Sequence, residues 1–334
     1  MKKSAILFLA VFAFFANACK ESGTKDYKPS SIGAINSLAV VMDNELWKGK
    51  VGDEVRRHFA APVVGLIWDE PLFSIQHLPP QVFTGTTRYR RSTLFIQRDS
   101  LDIAHVKTNL YAKPQKVAVI KGRTDDEIIE NLNQKSQEII AQFKDLEVRE
   151  SQKRFLRSLN KEKALEEEFG VTLTIPSLYK VGKHEDNFVW IDMQIPKGTK
   201  NIIAYEVPYE SLSEDSTLVQ DIVKMRDSIG SLYIPGPDVP GKTTHMRTEP
   251  AFSPSVFQNT IAGLNTIEVR GIWDIKNYPM AGPFVTYVIT DVENHRKLVL
   301  EGFTFAPATE KRDYMFELEA ILKTVKFHSP LAQK

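Results

Sequence analysis

The sequence predicts an α+β fold of mostly antiparallel sheets packed with helices, on three observations. Short runs rich in Val, Ile and Phe recur between Gly, Pro and Asn punctuation, which is how strands bounded by turns read. Two stretches instead repeat apolar residues at steps of three and four, the stripe of an amphipathic helix. Glu293–Arg296 (ENHR) reads as a hairpin loop between two apolar runs, which makes their pairing antiparallel.

Along the chain, the first element is a leader. Lys2 and Lys3 precede a wholly apolar run, Ala5 to Ala16, the layout of a secretory signal. Twelve helical residues would span roughly 18 Å, too short for the roughly 30 Å hydrocarbon core of a bilayer. Residues 1–18 are therefore expected to be a signal peptide and not a membrane span. Ala16, Asn17 and Ala18 suit ordinary signal peptidase as well as the lipoprotein enzyme, and Cys19 decides between them. It is the only cysteine, and one falling here by accident has a chance on the order of one in three hundred. The boundary resembles a bacterial lipobox, with Ala16 where Leu is usual. That resemblance implies acyl chains on Cys19, each buried CH2 adding about 0.8 kcal/mol of anchoring. The expected address is the cell envelope, at the outer membrane, with the membrane itself as a partner.

A single cysteine excludes an intrachain disulfide and any metal or cluster site built on several thiolates. No cofactor is expected. Residues 19–31 are polar and broken by Gly, Pro and Ser, a flexible tether. Cleavage leaves 316 residues, enough for a large core, and removing Lys2 and Lys3 takes the formal charge from +1 to −1. Without a net positive charge, nucleic acid is not an expected partner.

The body divides into an N-terminal half, 32–150, and a C-terminal half, 151–328. In the first, strands are expected at Leu38–Met42, Phe73–His77, Thr93–Ile96 and Val117–Ile120, with a short helix at Gly52–Phe59. Thr124 and Glu127 form a capping-box pattern. Behind it Ile128, Leu132, Ile139, Phe143 and Leu146 line one helical face. The pattern resumes through Phe155, Leu165 and Phe169 and stops at Gly170, so one long helix or two packed ones both satisfy it. The charges at Arg149–Arg154 read as a solvated face with opposite-sign neighbours; a partner surface is the alternative.

In the second half strands are expected at Val171–Ile175, Phe188–Met193, Ile202–Val207, Thr266–Trp273, Phe284–Thr290 and Leu298–Phe305. Helices are expected at Leu218–Ser228 and Thr309–Val325, and PGPDVPG at Pro235–Gly241 must be an irregular loop. Both halves carry a Glu-Pro-x-Phe-Ser string, at Glu70–Ser74 and Glu249–Ser253, in a similar order of elements. One reading is a diverged duplication of two related α/β sandwiches, although a string this short arises about once by chance in such a chain.

Signatures of catalysis are missing: no Gly-x-Ser-x-Gly elbow, phosphate-binding Gly loop or zinc helix occurs. Ser-x-x-Lys at Ser158–Lys161 and Ser177–Lys180 lacks the companion motifs that would give it meaning. His184, Glu185 and Asp186 are consecutive and do not share a face, so they read as a loop and not a metal clamp. The candidate ligand-binding residues are Trp273, Arg270 and Asp274, an aromatic flanked by ions, and Glu70 and Glu249, a carboxylate pair if duplication brings them together. Their plainer readings are a core Trp at a strand end and two Glu-Pro strand-entry turns.

The strings VVMDNELWKGKVGDEVRRHF, WDEPLFSIQHLP, YAKPQKVAVI, NFVWIDM, RGIWDIKNYPMAGPFVTY and EGFTFAPATEKRDYMFELEAILKTV resemble a family of envelope lipoproteins known only as a domain of unknown function. The resemblance covers Ile32 to Phe327. It implies export and lipidation without an assigned activity, so it designates no functional residue. The closing strand and helix are also similar to the end of the photosystem extrinsic-protein type of αβα sandwich, whose members are mostly accessory binding proteins. The expected function is a non-enzymatic accessory or binding lipoprotein engaging an envelope protein or small ligand. The alternative is a periplasmic or surface hydrolase acting on glycan or peptide through carboxylates.

Overall fold

The computed structural model describes residues 27–212 and 216–328. The expected signal peptide, Cys19 and the tether up to residue 26 lie outside them. The fold is α+β, as expected, and its two halves are built on different sheets.

The first half begins with β1 (Ser37–Val41), followed by α1 (Asn44–Lys48), α2 (Lys50–Phe59), β2 (Ser74–Leu78), β3 (Ser92–Arg98), β4 (Ile103–Thr108), β5 (Lys116–Gly122) and α3 (Asp125–Phe155). Its sheet runs β2-β1-β3-β5-β4. The first four strands in that order are mutually parallel and β4 returns antiparallel on the edge. A parallel strand inside a layered fold is covered on both faces, which is why LAVVM reads as an unbroken apolar run. Leu38, Val40, Met42, Leu94, Ile96, Ala118 and Ile120 form a core with Val55, Phe59 and the stripe of α3. Thr124 caps α3 by accepting the Glu127 N–H at 3.2 Å, while the Glu127 carboxylate reaches back to the Arg123 N–H at 2.7 Å.

The ambiguity over one helix or two resolves into a 31-residue α3, then a short α4 (Ala164–Phe169) ended by Gly170 at φ +64°. The charge run lies on α3, where Arg149 meets Asp145 and Arg154 meets Glu150, each at 3.1 Å and one turn apart. No helix among the described residues is long and apolar enough to cross a membrane.

The second half continues with β6 (Val171–Thr172), β7 (Lys180–Glu185), β8 (Phe188–Ile195), β9 (Gly198–Pro208), α5 (Leu218–Tyr233), β10 (Met246–Thr248), β11 (Ser255–Ile261), β12 (Leu264–Ile275), β13 (Tyr278–Asp291), β14 (Arg296–Phe305), α6 (Arg312–Leu322) and β15 (Lys326–Phe327). The main sheet is wholly antiparallel, β10-β12-β13-β14-β9-β8-β7, with β11 also on β12. The expected ENHR turn closes β13 onto β14, pairing Asp291 with Arg296. Side chains alternate across these strands. Leu298 and Leu300 join the core under α6, and Val299 and Phe303 join the core under α5.

Both halves share an order of elements, and the likeness stops there. One sheet is largely parallel and the other antiparallel. The first Glu-Pro-x-Phe-Ser string leads into a parallel edge strand, whereas the second precedes the antiparallel β11.

Candidate ligand cleft

The halves meet where α3 and the loop 61–72 lie against α6 and β12. The loop is closed on itself by the Val63 N–H to Glu70 C=O and Leu72 N–H to Ala61 C=O bonds, both 2.9 Å. At its turn Gly65 has φ +85°, and a Cβ there would lie 2.9 Å from the Arg270 Cβ. Only a residue without a side chain lets the loop rest this closely on β12. Across the junction Asn36 donates to Asp313 at 3.0 Å, and Gln152 donates to the Ala320 carbonyl at 3.0 Å.

Between these elements is a cleft of about 280 Å3. Val63, Val64, Leu72, Phe257, Met315 and Phe316 form its apolar walls, while Lys144, Glu268, Arg270, Arg312 and Glu319 supply the polar groups. Glu268 and Arg270 are two apart on β12 and therefore share a face. Arg270 Nε donates to Glu268 at 2.5 Å and its Nη2 donates to Glu319 at 2.7 Å; Lys323 donates to the other Glu319 oxygen at 2.6 Å. Burial would raise the Glu319 pKa, but the charges of Arg270 and Lys323 outweigh it and hold the carboxyl down at about 2. Burial opposes the charge on Arg270, and Glu319 and Glu268 more than offset it, leaving the guanidinium firmly protonated. This network is saturated.

Lys144 is different. It projects from α3 with its ammonium 4.5 Å from the Phe73 ring and 5.1 Å from the Phe316 ring. It donates to Asn36 Oδ1 at 2.8 Å and the Leu72 carbonyl at 2.7 Å. Both acceptors are neutral, and no carboxylate pairs with it among the described residues. Desolvation pulls its pKa down to about 8, helped by Arg312 and opposed by the charges of Glu319, Glu147 and Asp313, none of which bonds it directly.

The five ligand-binding candidates do not form one site. Trp273 is fully buried on the opposite face of β12 from Arg270, packed on Phe303 with ring centroids 5.9 Å apart. Its indole N–H has no partner among the described residues. Asp274 is bound to Arg247 of β10 at 2.9 and 3.0 Å. Glu70 is buried, and its carboxylate is occupied by backbone N–H groups at the start of α6. Glu249 accepts the Ala251 N–H at 3.0 Å and borders a separate hollow beside α5, with Val219, Val223 and Phe252. Of the five, Arg270 alone lines the cleft. A trio spaced i, i+3, i+4 on a strand divides between faces, which separates Trp273 from Arg270.

Sequence reasoning missed Lys144, Glu268, Arg312 and Glu319. A signal existed for Lys144: it stands four residues after Ile140, in phase with apolar neighbours, where a surface helix seldom places a charge. Glu319 has the same signature, between Leu318 and Ile321 on the apolar face of α6.

Residues 158–324, half of the chain, match the model of a domain of unknown function, DUF4837. The chain belongs to this family. Residues 31–156 match a second domain of unknown function, DUF8532. Thus the DUF4837 portion supplies β12 and α6 of the cleft, and the DUF8532 portion supplies Lys144 and the loop. No curated protein matches the sequence. Three chains of known structure match. One, a crystal structure from Bacteroides thetaiotaomicron VPI-5482, is 9% identical, covers 48% of this chain and 46% of its own, and has a TM-score of 0.26.

Proposed function

We propose that this protein is a lipid-anchored envelope protein with a non-enzymatic binding role, and that the cleft between its halves holds a small, mainly apolar ligand carrying one carboxylate. The observation that carries this reading is Lys144: an enclosed ammonium between two aromatic rings, held by neutral acceptors, facing a cleft whose other charges are already paired. A largely desolvated ammonium without a direct ion pair is costly, and an incoming carboxylate would supply that pair. The cleft volume is just under the ~300–1,000 Å3 of typical small-molecule sites, which favours a compact ligand.

The test is thermal stabilisation by a panel of small aliphatic and aromatic carboxylic acids against the matching amides. Acids should raise the melting temperature of the wild-type protein, amides should not, and Lys144→Met should abolish the difference. Equal effects of acids and amides would discard the ligand class. Anchoring is tested separately by radiolabelled fatty acid, expected to enter the wild-type chain and to be absent after Cys19→Ala.

A further inference from the structure

Next to the point where the chain enters the fold, two adjoining hollows of about 660 and 450 Å3 share Pro114, Glu150 and Lys153 in their walls. Their linings hold seven basic side chains against two carboxylates. Asp145 and Glu150 are already matched by Arg149 and Arg154. Lys28, Lys113, Lys116, Lys153 and Arg157 remain as the excess, and none of the five forms an ion pair among the described residues. Lys113, Lys153 and Arg157 are exposed. Beside Arg157, at the end of α3, Leu156 and Leu159 are 63% and 40% exposed. A basic surface with apolar side chains at its margin suits an anionic lipid interface, where ions meet headgroups and leucines meet the acyl boundary.

Position strengthens the match. Ser30 bridges to Lys113, so the chain enters the body on this surface. Lys28 is nine positions after Cys19, and nine peptide steps reach at most about 32 Å whatever their conformation. A lipid on Cys19 would therefore confine this surface to a shell about 32 Å deep, where it repeatedly meets the roughly 8 Å layer in which headgroup charge acts.

We propose that the basic face formed by Lys28, Lys113, Lys116, Lys153 and Arg157 docks the folded body onto anionic phospholipid headgroups of the anchoring membrane. The orientation argument rests on the anchored reading of Cys19; the charge argument does not. Docking here fixes how the body stands on the membrane, with the α3 C-terminus and the β5 start against the lipid.

The experiment uses a chain beginning at Lys20, which keeps every described element and carries no acyl group. It is sedimented with phosphatidylcholine vesicles, with and without phosphatidylglycerol. Binding is expected to the anionic vesicles alone and to be released by high salt. K113Q/K153Q/R157Q should weaken it roughly 100-fold, from about a fivefold loss per basic residue. K224Q/K242Q/K276Q, which removes as many exposed charges from surfaces outside both hollows, should bind like the wild type. Equal sedimentation with both kinds of vesicle, or none with either, would overturn the proposal, as would equal losses in the two triple variants. Absence of fatty-acid labelling in the full-length chain would remove the anchor and leave this measurement unaffected.

Discussion

Glu70 closes the N-terminus of α6 from the other half of the molecule: its carboxylate accepts the Lys311 N–H at 2.7 and 2.9 Å and the Arg312 N–H at 2.7 Å. Helix starts leave such donors without intrahelical partners, and the macrodipole favours an anion beside them. Glu70→Ala should cost about 1.5–3 kcal/mol, the range for hydrogen bonds to a charged group, and Glu70→Gln about half. Urea unfolding measures this. A midpoint for Glu70→Ala equal to that of the wild type would deny the contact any role in joining the halves.

Glu319 sets an acid limit on stability. Its folded-state pKa of about 2 lies below the ordinary 4.5, so the folded form holds the proton less tightly than the unfolded chain. The stabilisation is complete above about 4.5 and is lost as pH falls towards 2, up to roughly 3 kcal/mol. Glu319→Gln should be less stable near neutrality by about 3 kcal/mol, because the amide oxygen can still accept from Arg270 but no longer supplies the charge that balances it. It should also show a shallower loss between pH 5 and 2. Parallel acid-unfolding profiles for the two proteins would contradict the assignment.

For Lys144 the slope has the same sign, but it falls in an alkaline window and reflects a charge that folding disfavours. Its folded pKa of about 8 is below the ordinary 10.5, so between those values the unfolded chain binds more protons and stability rises with pH. The stability difference between wild type and Lys144→Met should move in favour of the wild type as pH climbs from 8 to 10. Urea midpoints across that range, taken on both proteins, check the direction. A bound carboxylate should shift the window upward, since it favours the charged amine.

Gly230 permits the contact between α5 and β10. A Cβ there would lie 2.2 Å from the Met246 carbonyl oxygen, so Gly230→Ala must push the helix off the strand. Despite the better helix propensity of Ala, the variant should lose about 1–3 kcal/mol. Differential scanning calorimetry would register the loss as a lower melting temperature, and an unchanged value would mean that the helix shifts freely.

Legibility in the sequence followed the strength of local patterning. Leu38–Met42, the Thr124 cap, the stripe of α3 and the hairpin at Asp291–Arg296 each carry their cause within a few residues, and each appears where expected. The strands β4, β7, β10 and β11 were not anticipated. KVGKHE in β7 and IAHVKT in β4 are edge strands; the polar, largely exposed side chains of β7 and the half-buried, mixed ones of β4 weaken any period-two signal. Val171–Ile175 pairs only over Val171–Thr172, because Thr174 instead binds the Thr324 side chain and Pro176 ends the segment.

By itself, the sequence determined the α+β class, most core strands and the helices, since propensity and apolar period act over short distances. Membership of a domain of unknown function was also readable from the strings along the chain. Only the tertiary structure decided that the first sheet is parallel and the second antiparallel, which layers the two faces of β12 meet, and that Lys144 meets β12 and α6 across a cleft. The cleft depends on α3 coming to share one interface with β12 and α6, more than a hundred residues further along the chain, and the sheet directions depend on which strands pair. The residues in the cleft acquire their charges and partners from that juxtaposition, which no local pattern encodes.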